Sequence, residues 1–240
     1  TRVNHERRTT EIKHGAAVIA VGADVYKPTE YSYGEIDRVM TLLELEEQIA
    51  KADEKVINAE CLVMIQCVGC RNEDRNYCSR ICCSASIKNA LKLKEINPGM
   101  EIYIFYRDMM TYGFSEDCYR EASAKGVRFI RYEPQDPPQV ESVQEGGKPV
   151  VRIAANDPIL GRTISIDADV LALAAAVVPS AGTREVAGLF KVSLSPDGFF
   201  KEAHVKLRPV DFASDGIFMA GMAHYPKLLD ETLIHIFPAL

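Results

Sequence analysis

Five of the chain's seven cysteines fall within seventeen residues, CVGCRNEDRNYCSRICC at 67–83, and the flanking segments fix what they are attached to. Ahead lies Cys61-Leu62-Val63-Met64-Ile65-Gln66, an apolar run of strand length. Behind lies a segment, 79–95, in which Ile81, Ala85, Ala90, Leu91 and Leu93 supply one apolar helical face, ended by Asn97-Pro98-Gly99. A strand that empties into a turn and then a helix is the unit that carries a glycine-rich fingerprint in dinucleotide-binding folds. Here Gly69 stands alone among cysteines and charged residues, so the unit does not read as an ordinary NAD(P) site.

The same alternation continues downstream. EIYIFY at 101–106 reads as a strand, 115–125 as a helix stopped by Gly126, and VRFIRY at 127–132 as another strand. Together, 61–132 form a small Rossmann-type unit with a parallel sheet. After the Pro-rich turn at 133–138, segments 139–145, 148–154 and 162–166 read as antiparallel strands, the first two joined at Gly146-Gly147. Upstream, 16–21 is a buried-strand run stopped by Gly22, and 38–52 places Leu42, Leu43, Leu45 and Ile49 at helical spacing. Residues 169–178 form a deeply apolar strand, 183–190 a short helix, and 216–221 a strand entering a turn. EAHVKLRP at 202–209 reads as an amphipathic strand, and the terminal IHIFPAL shows no closing helix.

The resulting class is α/β: a Rossmann-type domain with a parallel sheet plus antiparallel strands, inserted in a second domain. Residues 1–55 and 168–240 are expected in the outer domain and 56–167 in the inserted one.

With 47% hydrophobic residues the chain can build a core. Its net charge of -6 argues against general nucleic-acid binding, and the pair Arg7-Arg8 is too short to overturn that. No apolar run reaches the roughly 20 residues of a membrane span, and the polar start carries no signal-peptide core, so a cytoplasmic location is expected.

In a reducing compartment a tight cysteine cluster points to metal or redox chemistry rather than stapling. Cys67 ends a strand, Cys78 and Cys82 are spaced for one helical face, and Cys83 is rotated by about 100° from its neighbour. That spread suits the corners of an iron-sulfur cluster, although the usual ferredoxin spacing is absent. Tetrahedral zinc is one alternative; a redox disulfide at Cys67-Val68-Gly69-Cys70 is another. Cys61 and Cys118 read as packing thiols.

AAVIAVGADVYKP, CVGCRNEDRNYCSRICC, the stretch from EIYIFYRDMMTYGF to VRFIRYEP, and EAHVKLRPVDFASDGIFMAGMAHYPKLLDET together resemble the flavoprotein A subunit of heterodisulfide reductase. That family shares a thioredoxin-reductase-like FAD module. The resemblance implies an FAD/NAD(P)-linked reductase fold in which FAD lies between the FAD domain and the inserted domain. It places the first FAD-binding Rossmann unit ahead of Thr1, so that unit is missing from this sequence. It also implies a [4Fe-4S] cluster on Cys67, Cys78, Cys82 and Cys83, with Cys70 as a spare thiol.

Carried over by position, Lys88 approaches the flavin as a catalytic lysine. The resemblance likewise puts Gly22, Gly221, Met222 and His224 at or beside the second and third FAD signatures, His224 reading equally well as a hydrogen-bonded turn histidine. Past Thr232 the sequence departs from the family's alanine-rich helix. The implied activity is electron transfer between FAD and the cluster, extending to flavin-based bifurcation. The implied partners are other redox subunits of a complex, ferredoxin-like or iron-sulfur proteins, with a homodimer inside the assembly. A non-catalytic electron wire or scaffold, or a C-x-x-C thiol-disulfide flavoprotein reductase, are the alternatives.

Overall fold

In the computed structural model, which describes residues 1–6 and 8–236, the chain divides into two units. One comprises Thr1–Asp24 with the residues from Val177 on, and the other Val25–Ala176. Arg7, half of the basic pair, and the last four residues of IHIFPAL lie outside the described residues.

In chain order the elements begin with β1 (Arg2–His5), β2 (Arg8–Glu11), β3 (Ala17–Ile19), β4 (Ala23–Val25), β5 (Val39–Thr41), α1 (Leu42–Ala50), α2 (Glu54–Ile57) and β6 (Cys61–Val68). There follow α3 (Cys82–Ile96), β7 (Glu101–Tyr106), α4 (Ser115–Ala124), β8 (Arg128–Arg131), β9 (Gln139–Glu145), β10 (Lys148–Asp157) and β11 (Arg162–Ala168). The last are β12 (Val170–Ala175), β13 (Val177–Pro179), α5 (Thr183–Phe190), β14 (Ile217–Met219), a 3-10 turn at Gly221–Ala223 and α6 (Leu229–Ile236).

The unit Val25–Ala176 is built on a five-stranded sheet in the order β5-β12-β6-β7-β8, every ladder parallel. Its two faces explain why β6 is apolar without alternation. Leu62 and Met64 pack toward the helices, against Leu45 of α1, Ile87, Ala90 and Leu93 of α3, and Ala122 of α4. Val63 and Ile65 pack with Val151 and Ile153 of β10 and Ile166 of β11, residues of the antiparallel sheet β11-β10-β9. Helix α1 is started by a capping box. Thr41 Oγ1 accepts from Glu44 N at 3.2 Å and Glu44 Oε2 accepts from Thr41 N at 2.6 Å.

The unit divides from the rest at 24/25 and 176/177, not at the expected 55/56 and 167/168. The reason is hydrogen bonding: β5 and β12 lie on either side of those expected cuts, and both are ladder members of the parallel sheet.

In the other unit β3 and β14 pair in parallel, with Ile217 opposite Ala17 and Met219 opposite Ile19. Ile19 and Met219 bury with Ala187 of α5, Phe200, Phe212 and Ala223. β1 and β2 form an antiparallel hairpin.

Three local expectations change. The chain 169–178 is broken into β12 and β13 at Ala176. EAHVKLRP is a tight turn, because His204 Nδ1 accepts from the backbone N–H of Lys206 and Leu207 and the ladder closes at once between His204 and Arg208. The tail does carry a helix, α6, whose Thr232 N–H is hydrogen-bonded to Leu228 O at 2.9 Å. Among the described residues no helix is long and apolar enough to cross a membrane.

Because Ile65 is wholly buried between the two sheets, Ile65→Ala is expected to cost about 2–5 kcal/mol, read from the urea midpoint of the full chain.

Candidate metal centre

The cysteine stretch is aimed by an irregularity in β6. Leu173 of β12 stands opposite Ile65, but Ala175 stands opposite Val68, so β6 carries one extra residue across that interval. Cys67, within the bulge, adopts a left-handed φ of 62°. Val68 consequently shares the face of Val63 and Ile65, which simple alternation would deny it. Two residues on, Gly69 has φ +76°, and any Cβ there would collide with the Tyr26 ring. Arg75 clamps the same spot, its guanidinium 4.3 Å from the centre of that ring and its Nε donating to Gly69 O at 2.7 Å.

Helix α3 begins at Cys82, not at Ser79. Arg80 has φ 61°, a left-handed residue through which a right-handed helix cannot extend backward. Cys78 therefore does not share a helical face with Cys82; it reaches the site from the loop. The structure nevertheless brings Cys67, Cys70, Cys78, Cys82 and Cys83 around one pocket. All seven cysteines are free thiols. Cys61 lies apart in β6, its thiol pushed up to about 12 by burial and then by the carboxylates of Glu101 and Asp169. Cys118, expected to pack, is exposed on α4.

Donors and a cation reach the sulfurs of this pocket, against a burial that holds three of its thiols protonated. The first turn of α3 has no side-chain cap, so its N–H groups face the cysteine end of the helix. Arg80 N–H donates to Cys78 Sγ at 3.3 Å. Arg71 Nη1 lies 3.9 Å from Cys67 Sγ while its Nη2 pairs with Asp108 at 2.6 Å. Cys82 and Cys83 are both raised by burial, with the Met110 N–H pulling Cys83 back. Cys67 Sγ–H donates to Cys70 Sγ, which raises Cys67 and lowers Cys70, the latter helped by Ser79.

This donor set fits an anionic thiolate-ligated cluster: four sulfurs are required and five surround the pocket. Among the described residues no three Cys, His, Asp or Glu side chains converge as they would on a single metal ion. Sequence reasoning does not single out Tyr26, Arg71, Arg75 or Asp108. Only Arg71 and Arg75 lie inside the motif, where a cationic neighbour of a thiolate could have been sought.

The residues assigned to flavin divide between the two units. Gly22 follows β3 and Gly221 follows β14, so both sit just past the carboxyl ends of adjacent parallel strands, and both have positive φ. That edge is where nucleotide ligands bind in α/β folds. Met222 lies in the 3-10 turn, and His224 caps it with its N–H bonded to Gly221 O at 3.2 Å. Lys88 belongs to the other unit. It is on α3, its side chain 61% exposed, and its Nζ pairs with Glu46 Oε1 at 2.8 Å.

No protein-family model matches the sequence. Over 97% of its length the chain is 37% identical to the iron-sulfur A subunit of CoB–CoM heterodisulfide reductase from Methanocaldococcus jannaschii. Over 96% it is 35% identical to the A subunit of H2:CoB-CoM heterodisulfide,ferredoxin reductase from Methanothermobacter thermautotrophicus. Along nearly its whole length the chain is similar to the A subunits of heterodisulfide reductases. It spans 37% of the Methanocaldococcus protein and 36% of the Methanothermobacter protein. Among solved structures it resembles Thermoplasma acidophilum thioredoxin reductase (TM-score 0.58, 14% identity, 98% of this chain and 65% of that one). It also resembles Lactococcus lactis thioredoxin reductase (TM-score 0.55, 15% identity, 99% of this chain and 70% of that one). The fold is thus that of these thioredoxin reductases.

In this heterodisulfide-reductase-like chain His224 is more than a turn residue. Its Nε2 meets Glu202 at 2.9 Å, its Nδ1 meets Lys227 Nζ at 2.9 Å, and its ring stacks on His235, 5.0 Å away and 13° from parallel. Because an ammonium has no acceptor, Nδ1 accepts and Nε2–H donates to the carboxylate. His235 bonds Pro209 O at 3.1 Å, tying α6 to the segment ahead of β14. Burial, then Lys227 and His224, lowers His235 to about 4, and burial with Lys227 also lowers His224.

Both rings are therefore neutral in the fold, whereas the unfolded chain takes up their protons from about pH 6.5 downward. Their contribution is complete above about pH 6.5 and is lost as pH falls toward 4. The thermal midpoint is expected to drop across that window, and His235→Phe, which cannot titrate, is expected to flatten the drop in calorimetry at stepped pH.

Proposed function

We propose that this chain holds a [4Fe-4S] cluster on Cys67, Cys78, Cys82 and Cys83, and contributes one wall of an FAD site. Its work is electron transfer within a multisubunit oxidoreductase. The observation that carries the reading is the single pocket walled by five cysteines, next to an uncapped helix start and two arginines. When bound, the cluster would supply one-electron chemistry and the flavin both one- and two-electron chemistry.

The chain's own residues would prepare the site. Arg71 and the N–H groups of Arg80 and Met110 offset negative charge on sulfur, while burial of the thiols keeps water from it. Gly22 and Gly221 leave the strand ends bare for backbone approach to FAD, with Met222 and His224 beside them. Lys88 is assigned to the flavin ring as a hydrogen-bond donor; Glu46 competes for its ammonium.

The Methanothermobacter relative's name joins H2, a CoB-CoM heterodisulfide and ferredoxin. We extend to this chain a place in such a two-acceptor complex, with iron-sulfur subunits and a ferredoxin-like protein as partners. A division of electron pairs at the flavin belongs to the same proposal.

A second reading has its own observation. Cys67 Sγ–H donates to Cys70 Sγ, which leaves Cys70 the more acidic, an arrangement suited to a dithiol that closes to a disulfide. Anaerobic purification separates the two. About four iron and four sulfide per chain, lost in Cys82→Ser and Cys83→Ser and kept in Cys70→Ser, supports the cluster as assigned. Iron lost in Cys70→Ser moves a ligand to that residue. Zinc alone, or an iron-free chain with a reversible Cys67–Cys70 disulfide, overturns the proposal. Flavin absent from an iron-loaded chain leaves the electron-wire role.

A further inference from the structure

Gln66 is the one polar side chain in the buried part of β6, and it is 0% exposed. It follows Leu62 and Met64 on the helix-facing side of the sheet and walls the cysteine pocket immediately before Cys67. One end of its carboxamide is fixed, with Nε2 and Ser86 Oγ of α3 2.5 Å apart. The other end, Oε1, is buried and has no partner. A buried, unpaired amide atom is destabilising, and a leucine in the same place would carry no such penalty. Nor does the amide serve its own main chain, because the carbonyl of Gln66 accepts from the side-chain hydroxyl of Tyr132 at 2.8 Å.

A half-turn of the carboxamide removes the anomaly. Ser86 Oγ–H then donates to Oε1, and the NH2 group becomes the free end. The sulfurs that line the same pocket can accept once they are thiolates, so a free NH2 has candidate partners there that a free carbonyl lacks.

We propose that Gln66, oriented by Ser86, donates an N–H hydrogen bond to sulfur at the cluster and thereby raises its reduction potential. This rests on the [4Fe-4S] assignment under Proposed function. Reduction adds negative charge that a donor stabilises, so hydrogen bonds to the sulfurs favour the reduced state. Gln66 is a positioning and tuning residue, not a ligand.

The test is a redox titration of the anaerobically purified full chain, followed by the EPR signal of the reduced cluster, with iron and sulfide measured on each sample. Gln66→Met keeps volume and removes the donor. It is expected to retain iron while its midpoint falls, lowering the reduced-to-oxidised ratio about tenfold at fixed ambient potential, about 59 mV for one electron. Ser86→Ala, which frees the amide, is expected to shift the midpoint the same way by less. An iron-loaded Gln66→Met with an unmoved midpoint overturns the inference. If Gln66→Met does not accumulate as folded protein, Ser86→Ala decides, and an unmoved midpoint there overturns it. Iron missing from the unsubstituted chain overturns the cluster reading itself, a result distinct from either.

Discussion

Burial of β6 between two layers is the constraint on which the rest of the unit Val25–Ala176 depends. Leu62 and Met64 commit one face to α1, α3 and α4, and Val63 and Ile65 commit the other to β10 and β11. Each such side chain contributes about 1.5–3 kcal/mol on burial, so sliding the strand by one residue would exchange both sets and lose most of that. The strand's register is therefore fixed, and with it the point at which its end delivers Cys67. The cysteine pocket inherits its accuracy from the hydrophobic core.

Beyond the end of β6 the chain works against regular structure. Cys67, Arg71 and Arg80 hold left-handed φ values without being glycine, a conformation that costs of order 1 kcal/mol or more each. They persist because neighbours over-determine them: the bulge against β12, the Tyr26–Gly69–Arg75 clamp, and the Arg71–Asp108 ion pair. Strain and buried thiols are gathered in one loop, as expected where a chain is shaped to receive a group rather than to pack. The unpaired amide end of Gln66 belongs to the same pattern.

Much of this was legible in the sequence, because periodicity reports burial. The run at 101–106 and the helix at 183–190 match their elements residue for residue, since each is bounded by a turn residue or a change of apolar period. The errors share one cause. Ser79 to Ile81 suit a helix by composition, and only the left-handed turn at Arg80 forbids it. EAHVKLRP alternates like a strand, but His204 accepts two backbone N–H groups and folds it into a turn. The helix α6 lacks the expected alanines and is held in part by His235 on Pro209 O, a contact from 26 residues away.

By itself the sequence determined the element types of the central sheet, the crowding of five thiols at one strand-to-helix junction, and the missing glycine fingerprint there. These are local properties: side-chain period, spacing and the presence or absence of a residue type. Only the tertiary structure decided that β5 and β12 join the parallel sheet and that Cys70 walls the same pocket as the four expected ligands. It alone gave His224 partners in Glu202, Lys227 and His235, and left one end of the Gln66 amide without one. Those facts depend on which distant segments meet, and no period within a segment encodes its neighbour across the fold.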